Sequence, residues 1–353
     1  MQAICSDPKL EATLRTALRA GGWPDTALQP LPDRGLAHLH VRLEGTGTLA
    51  RIPKQSQVGL GPEANLRHEA ACFERAGDSG HTPRLSGTLP VSPQLPRGAL
   101  LVEEIEGRPA ELPADLPAIA AALAAIHRLP LPAASDRAPL ASPHDPLRAL
   151  VGEIDAQAVH LPQARLAPEV RRALEDELEA LGQLAKEEQR PGVHLIAFDA
   201  HPGNFVLRAR GDAVLVDLEK CRYSHPGLDL AHATLYTSTT WDVAANAALS
   251  VAEVAAFYAA WAREAGPALA AAAQPWHVAL RRAMWLWSIT WCCKWRVLSG
   301  EAPLADHAGE DWSAAHSDAP LIAHVRGRVD HYLSLPAIRR VQHELAALQE
   351  VLV

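Results

Sequence analysis

Cysteine is scarce, with five in 353 residues at Cys5, Cys72, Cys221, Cys292 and Cys293. That odd, scattered set suits neither a disulfide framework nor a zinc site. It fits a reducing, cytoplasmic compartment, and the expectation is a cytoplasmic protein. Long apolar runs are missing as well. No stretch of about 18 uncharged apolar residues occurs, so no membrane span is expected. Met1–Glu11 has no basic start followed by an apolar run, so no secretory signal is expected. Positive charge is in deficit: 33 Lys and Arg against 41 Asp and Glu give a net charge of −8. That balance argues against a nucleic-acid binder, which would present a basic face. Local basic pockets, such as a phosphate site needs, remain compatible with it. Internal repeats are absent, and no GxGxxG loop occurs. What is present is ordinary for a globular protein, 48% apolar and 21% charged, with enough chain for two lobes.

Periodicity predicts a strand-rich beginning and a helical remainder. Leu10, Leu14 and Leu18 fall on one face of a helix over 8–20. Ala37–Leu43 and Thr48–Ile52 read as a hairpin around Gly45-Thr46-Gly47. A helix follows over Pro62–Ala76, with Leu66, Ala70 and Phe73 at helical spacing. Ala99–Val102 reads as a strand and Leu116–His127 as an Ala-rich helix. The prolines of Leu129–Pro146 predict a loop. Helical patterns return over Pro168–Leu184 and from about Val251 to Leu298. Cys292 and Cys293 lie in that last stretch and read as buried thiols.

The most informative region runs from Val193 to Ala233. An apolar strand, Val193–Ala197, leads into Asp199-Ala-His-Pro-Gly-Asn204. Phe205–Ala209 and Ala213–Asp217 then read as short strands joined at Arg210-Gly-Asp212. A hairpin centred near Gly211 puts Asn204 opposite about Leu218, and so about 5 Å from Asp217 across the ladder. An amide oxygen and a carboxylate converging on one point suit a hard Mg²⁺ that keeps water and phosphate oxygens as its other ligands. Asp199 lies near the same point. One base and two metal ligands are the parts a phosphoryl-transfer centre needs. Each of these residues alone would read as a turn cap; it is the three together that carry the signal.

This run resembles the catalytic segment of the aminoglycoside phosphotransferase and choline kinase superfamily, whose fold is similar to that of protein kinases. The matching residues are Asp199 to Asn204, Val214-Leu-Val-Asp217-Leu-Glu219, and Gly227-Leu-Asp229-Leu-Ala231. The resemblance implies an α+β, bilobal, protein-kinase-like fold. Residues 1–103 would form an antiparallel-sheet N-lobe and 104–353 a mainly helical C-lobe. It implies Asp199 as base or positioner for an acceptor hydroxyl, Asn204 and Asp217 as Mg²⁺ ligands, and Asp229 as a carboxylate bracing the loop. An N-cap is the other reading of Asp229. His201 reads as a loop brace, and Glu219 as either a third metal contact or a surface residue.

The amino-terminal half matches through Leu49-Ala-Arg51-Ile-Pro, with Arg51 where the family usually has Lys. Glu69 lies on the inner face of the following helix and needs a buried partner. Arg51 is the expected one and Lys54 the alternative. Ala99 to Gly107 resembles the hinge, so Glu103, Glu104 and Ile105 are expected against the adenine of ATP. Among the departures, Ala197 replaces the histidine usual two residues before the catalytic Asp, and Asp217-Leu-Glu219 stands where protein kinases have Asp-Phe-Gly. The missing glycine loop and the absence of an Ala-Pro-Glu-like segment after Asp217 argue against a protein acceptor.

Trp285, Trp287, Trp291 and Trp295 crowd one helical stretch. They read either as core or as a cation-binding wall. Such a wall, with Tyr236, Thr237, Thr240, Trp241 and Asp242, would form the acceptor pocket. Asp242 and Asp306 would attract an amino group. The expected function is ATP- and Mg²⁺-dependent phosphorylation of a small, cationic molecule. The alternative is a kinase-fold nucleotide-binding regulator without turnover. Neither nucleic acid nor membrane is an expected partner, and the oligomeric state stays open.

Overall fold

The computed structural model describes residues 8–33, 35–302, 310 and 312–352; Cys5 and Asp306 lie outside the described residues. Helix α1 (Pro8–Ala20) precedes strands β1 (Leu28–Pro30), β2 (His38–Leu43) and β3 (Thr48–Pro53). Gly45 and Gly47 take φ of +75° and +65° in the β2–β3 turn, a left-handed backbone that glycine adopts without a Cβ clash. Helix α2 (Pro62–Gly77) and strands β4 (Leu85–Leu89) and β5 (Ala99–Glu103) follow. The five strands form an antiparallel sheet in the order β1-β2-β3-β5-β4.

Alternation along the strands divides this sheet into a dry face and a working face. Leu39, Val41, Leu43, Ala50 and Ile52 pack with Leu14 and Leu18 of α1 in a small core. The intervening His38, His40, Leu49 and Arg51 line the cleft instead. A slip of one residue in either strand would exchange the two sets.

The rest of the chain is mainly helical: α3 (Leu116–His127), α4 (Pro146–Ala158), α5 (Pro168–Leu184), α6 (Pro226–Thr234), α7 (Tyr236–Thr239), α8 (Val251–Ala265), α9 (Pro267–Ala273), α10 (His277–Leu298), α11 (Ala319–Tyr332) and α12 (Leu335–Leu352). Short strands β6 (Arg108–Pro109), β8 (Phe205–Leu207) and β9 (Ala213–Leu215) make one small sheet. Strands β7 (His194–Ile196) and β10 (Arg222–Ser224) make another pair. A large apolar core joins the helices and reaches up to α2 and β5. The architecture is the α+β bilobal one expected. No helix among the described residues is long and apolar enough to cross a membrane.

Three local expectations change. The Val251–Leu298 pattern is three helices, broken at Gly266 with φ +87°. The proline-rich loop ends at Asp145, whose side chain caps α4 by accepting from the Arg148 backbone N–H, with Pro146 in the favoured first-turn position. Strands β8 and β9 are shorter than expected, and their register is shifted. Phe205 faces Leu215, and the Val216 N–H donates to the Asn204 carbonyl at 2.9 Å. Asn204 is therefore opposite Val216, not Leu218, and remains next to Asp217 across the ladder.

Gly107 fixes how the link between the lobes lies on β8. A Cβ there would meet the Leu207 carbonyl oxygen at 2.3 Å and the Val206 side chain at 2.7 Å. The obstacle is backbone, so it cannot rotate away. Gly107→Ala is expected to destabilise the protein by roughly 1–3 kcal/mol, the usual cost of forced overpacking. Gly152→Ala, on α4 with open space around its Cβ position, should be neutral or stabilising by up to about 1 kcal/mol. Urea denaturation checks both; equal midpoints for the two variants would contradict the close approach at Gly107.

Candidate active site

Strand β7 delivers the chain to Ala197 and Phe198, and the next residue is Asp199. Phe198 has φ +63°, a left-handed conformation costing a non-glycine residue about 1–2 kcal/mol. Its surroundings hold it there. The Arg222 guanidinium stacks 3.7 Å from the centre of its ring, and Trp287 meets the ring edge-on at 5.0 Å. The Phe198 N–H donates to Asp229 Oδ1 at 2.7 Å, and the Ala197 N–H to Oδ2 at 2.8 Å. Asp229 thus holds the loop backbone. It does not cap α6, whose N-cap is His225.

Asp199 is enclosed by cations and imidazoles. Lys220 Nζ donates to its Oδ2 at 2.6 Å, and His232 Nδ1 lies 3.6 Å from its Oδ1. Burial opposes ionisation of Asp199, but the Lys220 ammonium together with the His201 and His232 imidazoles outweighs it and keeps the carboxyl below its ordinary pKa. Burial pushes His232 down to about 4, so this imidazole is neutral at pH 7. The His201 ring stands edge-on to it at 5.9 Å.

Asn204 Nδ2 donates to the Asp199 carbonyl at 2.8 Å. That bond commits its NH₂ group and leaves the amide oxygen as the available ligand atom. The loss of water around Asp217 in the cleft opposes its ionisation, yet the Arg51 guanidinium, with His38 and Lys220, holds its pKa far below the carboxylate range. An amide oxygen beside a persistently ionised carboxylate is an all-oxygen donor set, and it fits Mg²⁺.

The partner expected for Glu69 is different. Arg51 donates to Asp217 Oδ1 at 2.7 Å and to the Val216 carbonyl at 3.0 Å. Glu69 is bound by His38 Nε2 at 2.8 Å and by Asn65 Nδ2 at 2.7 Å. The His38 ring stands between the two, with Nδ1 3.4 Å from Arg51. Lys54 is not the partner either, since it pairs with Asp33 at 2.9 Å. Glu219 is buried, not at the surface. Burial and the neighbouring Asp217 raise its pKa well above the usual value.

These groups open into one cleft of about 640 Å³. Leu49, Val102, Glu103, Ile105, Phe205 and Val216 line one side. Glu104 lies off this lining; its carboxylate is held by Arg42 at 2.6 Å. Thr237, Trp241, Asp242, Trp287, Trp291 and Tyr332 line the other side. Asp242 sits against the Asp199–Asn204 loop: a Cβ on Gly203 would lie 2.8 Å from the Asp242 Cβ. Tyr236 and Thr240 are outside the lining. Tyr236 meets His331 at 2.8 Å, and Thr240 meets Tyr332 at 2.9 Å. The tryptophans divide. Trp285 and Trp295 are core residues, while Trp291 reaches the cleft and packs edge-on to Trp241 at 5.8 Å. Trp287 also reaches it, but its ring already carries the Lys220 ammonium at 5.5 Å.

The sequence does not mark Lys220, His232 or His38 as site residues. Lys220 follows Glu219 directly in an irregular segment, where no periodicity shows its direction. His232 lies one helical turn after Asp229, a spacing that places both on the same side of α6.

The profile of the phosphotransferase enzyme family matches residues 35–274, more than half of the chain. The chain belongs to the phosphotransferase enzyme family. Its fold recurs in solved structures at low identity. A choline/ethanolamine kinase family protein from Mesorhizobium loti is 18% identical, with a TM-score of 0.60 over 97% of this chain and 99% of that one. A spectinomycin phosphotransferase, solved with ADP and spectinomycin, is 11% identical, with a TM-score of 0.60 over 98% and 99%. Choline kinase LicA from Streptococcus pneumoniae is 14% identical, with a TM-score of 0.54 over 96% and 99%. No curated protein matches the chain by sequence. Within the family match lie Arg51, Glu69, Asp199, Asn204, Asp217 and Asp229.

Proposed function

We propose that the chain transfers the terminal phosphoryl group of Mg-ATP to a hydroxyl of a small molecule. The observation that carries this reading is the convergence of Asp199, Asn204 and Asp217 in one cleft, between an apolar slot and an aromatic wall. The adenine belongs in the slot of Leu49, Val102, Ile105, Phe205 and Val216, and the phosphates beside Arg51. Asn204 and Asp217 would hold Mg²⁺, whose charge offsets that of the phosphate oxygens. Asp199 Oδ1 accepts the acceptor's hydroxyl proton while Lys220 fixes Oδ2. Attack in line with the leaving oxygen needs the acceptor on the side away from the nucleotide. That is the side of Trp241, Asp242 and Trp291.

This wall suits a molecule carrying a positive charge. Trp241, backed by the stacked ring of Tyr332 at 6.3 Å, and Trp291 bring indole rings to it, and Asp242 offers a carboxylate. The spectinomycin, choline and ethanolamine named for similar folds are alcohols that carry a cationic nitrogen. Trp287 has a lesser part in this than the sequence suggested, because Lys220 occupies it.

Asp242→Asn keeps the oxygen that accepts from the Ala244 and Ala245 N–H groups and removes the charge. It is expected to raise the acceptor KM about tenfold, equivalent to roughly 1.4 kcal/mol, with ATP binding unchanged. Steady-state kinetics check this; an unchanged KM would place the acceptor elsewhere. The function itself is tested by ADP release with aminoglycosides, choline, ethanolamine, sugars and amino acids. At least one should exceed the no-acceptor rate. A second reading, a nucleotide-binding regulator without turnover, draws on the Arg51–Asp217 ion pair, which occupies one carboxylate oxygen. Nucleotide binding with no ATP consumption under any acceptor would favour it.

A further inference from the structure

Trp287 lines the cleft, yet its ring is engaged by the protein itself. The Lys220 ammonium lies over it, 5.5 Å from the ring centre, and donates to Asp199 Oδ2 at 2.6 Å. The indole edge is engaged too. Nε1 donates to Glu153 Oε2 at 3.3 Å, and Glu153 Oε1 accepts from Arg222 Nη1 at 2.6 Å. Arg222 Nε in turn donates to the Lys220 carbonyl at 3.3 Å. The circuit closes on the residue where it began. Its parts come from α4, α10 and the segment that leads into β10.

A lysine in this place needs a seat. Its ammonium is a point charge with three rotatable donors on a flexible four-carbon stem. One bond to a carboxylate leaves it able to shift from Oδ2 to Oδ1, or to bridge both. Oδ1 is the oxygen that must stay open to take the acceptor's proton. The Trp287 ring attracts the ammonium as well, and attraction to two groups defines its place better than attraction to one. Lys220 and Trp287 are both buried, where a cation–π contact is stronger than at an exposed site. The ring is itself held, because turning the indole would break its bond to Glu153.

We propose that Trp287, oriented by Glu153, is a positioning residue for the phosphoryl-transfer step. It seats the Lys220 ammonium so that Asp199 Oδ2 is tied down and Oδ1 is left to the acceptor. Trp287 then serves the reacting carboxylate, while Trp241 and Trp291 serve the acceptor's charge. The inference rests on Asp199 as the reacting carboxylate, but the seat can be read without turnover.

The chain has five lysines, Lys9, Lys54, Lys186, Lys220 and Lys294, few enough for NMR of protein labelled with carbon-13 at lysine Cε. An indole ring current moves protons over its face upfield. The signal missing from Lys220→Met should therefore lie upfield of Lys9, Lys54 and Lys186 in the wild type. It should return towards them in Trp287→Leu, which removes the ring, and stay shifted in Trp287→Phe, which keeps one. With an acceptor that supports turnover, kcat should fall by roughly 10- to 100-fold in Trp287→Leu, the cost of a misplaced reacting group. Trp287→Phe should recover most of the loss, with acceptor KM and nucleotide affinity unchanged in both. In a Lys220→Met background, Trp287→Leu should cost little more, since the two residues act as one. If Trp287→Leu does not fold, Glu153→Ala takes its place. Glu153 is 41% exposed, so its truncation leaves no buried hole, and the Lys220 signal should again move. An unshifted Lys220 signal in the wild type overturns the proposal. So does a raised acceptor KM with unchanged kcat in Trp287→Leu, which would return the ring to the acceptor wall. Equal losses with and without Lys220 would mark Trp287 as a core residue and overturn it too. Absence of turnover with every acceptor would count against the proposed function alone, since the lysine spectrum needs no acceptor.

Discussion

Asp199→Asn is expected to lower turnover by roughly two to four decades, the size of a general-base contribution, while nucleotide affinity changes little. The substitution keeps the shape of the side chain and an oxygen for Lys220, which donates to Oδ2 at 2.6 Å in the wild type. What it removes is the negative charge and the proton-accepting character of Oδ1. That oxygen is well placed for the task, because the neighbouring His232, its pKa pushed down to about 4 by burial, adds no competing positive charge at pH 7. ADP release gives the turnover, and calorimetric titration with nucleotide gives the affinity. Comparable losses in both would mark Asp199 as a metal ligand or a folding determinant instead.

Asp217→Ala should remove most Mg-ATP-dependent turnover, roughly a hundredfold or more. A metal ion's charge at a phosphoryl oxygen is worth several kcal/mol of transition-state stabilisation. Asp217 is partly exposed to the cleft, with 25% of its side chain accessible, so its loss leaves no large cavity. Arg51 keeps its bond to the Val216 carbonyl, although its buried charge loses its closest counter-ion. The fold should therefore survive with modest destabilisation. Turnover across a magnesium titration, with thermal unfolding as the control, separates the two effects. Near wild-type turnover with unchanged magnesium dependence would remove Asp217 from the metal site.

The legible parts of this protein were those whose chemistry is local in the chain. Asp199, Asn204 and Asp217 lie within one short loop and hairpin, so turn residues and alternation were enough to bring them together. The hairpin register differs by two residues because β8 stops at Leu207 and pairs it with Ala213, which centres the turn on Arg210 and not on Gly211. Helix α4 was hidden by prolines, although Asp145-Pro146 is itself a helix-start signal.

The Arg51–Glu69 pair failed for a different reason. Helical facing showed correctly that Glu69 points inward, but not which strand it would meet. His38 sits on the neighbouring strand β2 and intervenes, a choice set by sheet packing. The alternation of His38 and His40 on the face of Arg51 was the available clue. The contacts of Asp229 with His127 and of His127 with Trp261 join residues more than 100 positions apart. No local pattern encodes such a meeting, and only the packing of α3 against α6 and α8 creates it.

The central claim is that this cleft moves a phosphoryl group onto the hydroxyl of a small molecule. Phosphorus-31 NMR of wild-type protein with Mg-ATP and each candidate acceptor tests it most directly. The account predicts a new phosphomonoester resonance with at least one acceptor, growing as the terminal phosphate of ATP declines and failing to appear at a comparable rate with Asp199→Asn. Conversion of ATP to ADP and inorganic phosphate alone, or ATP bound and unchanged beside every acceptor, would contradict it.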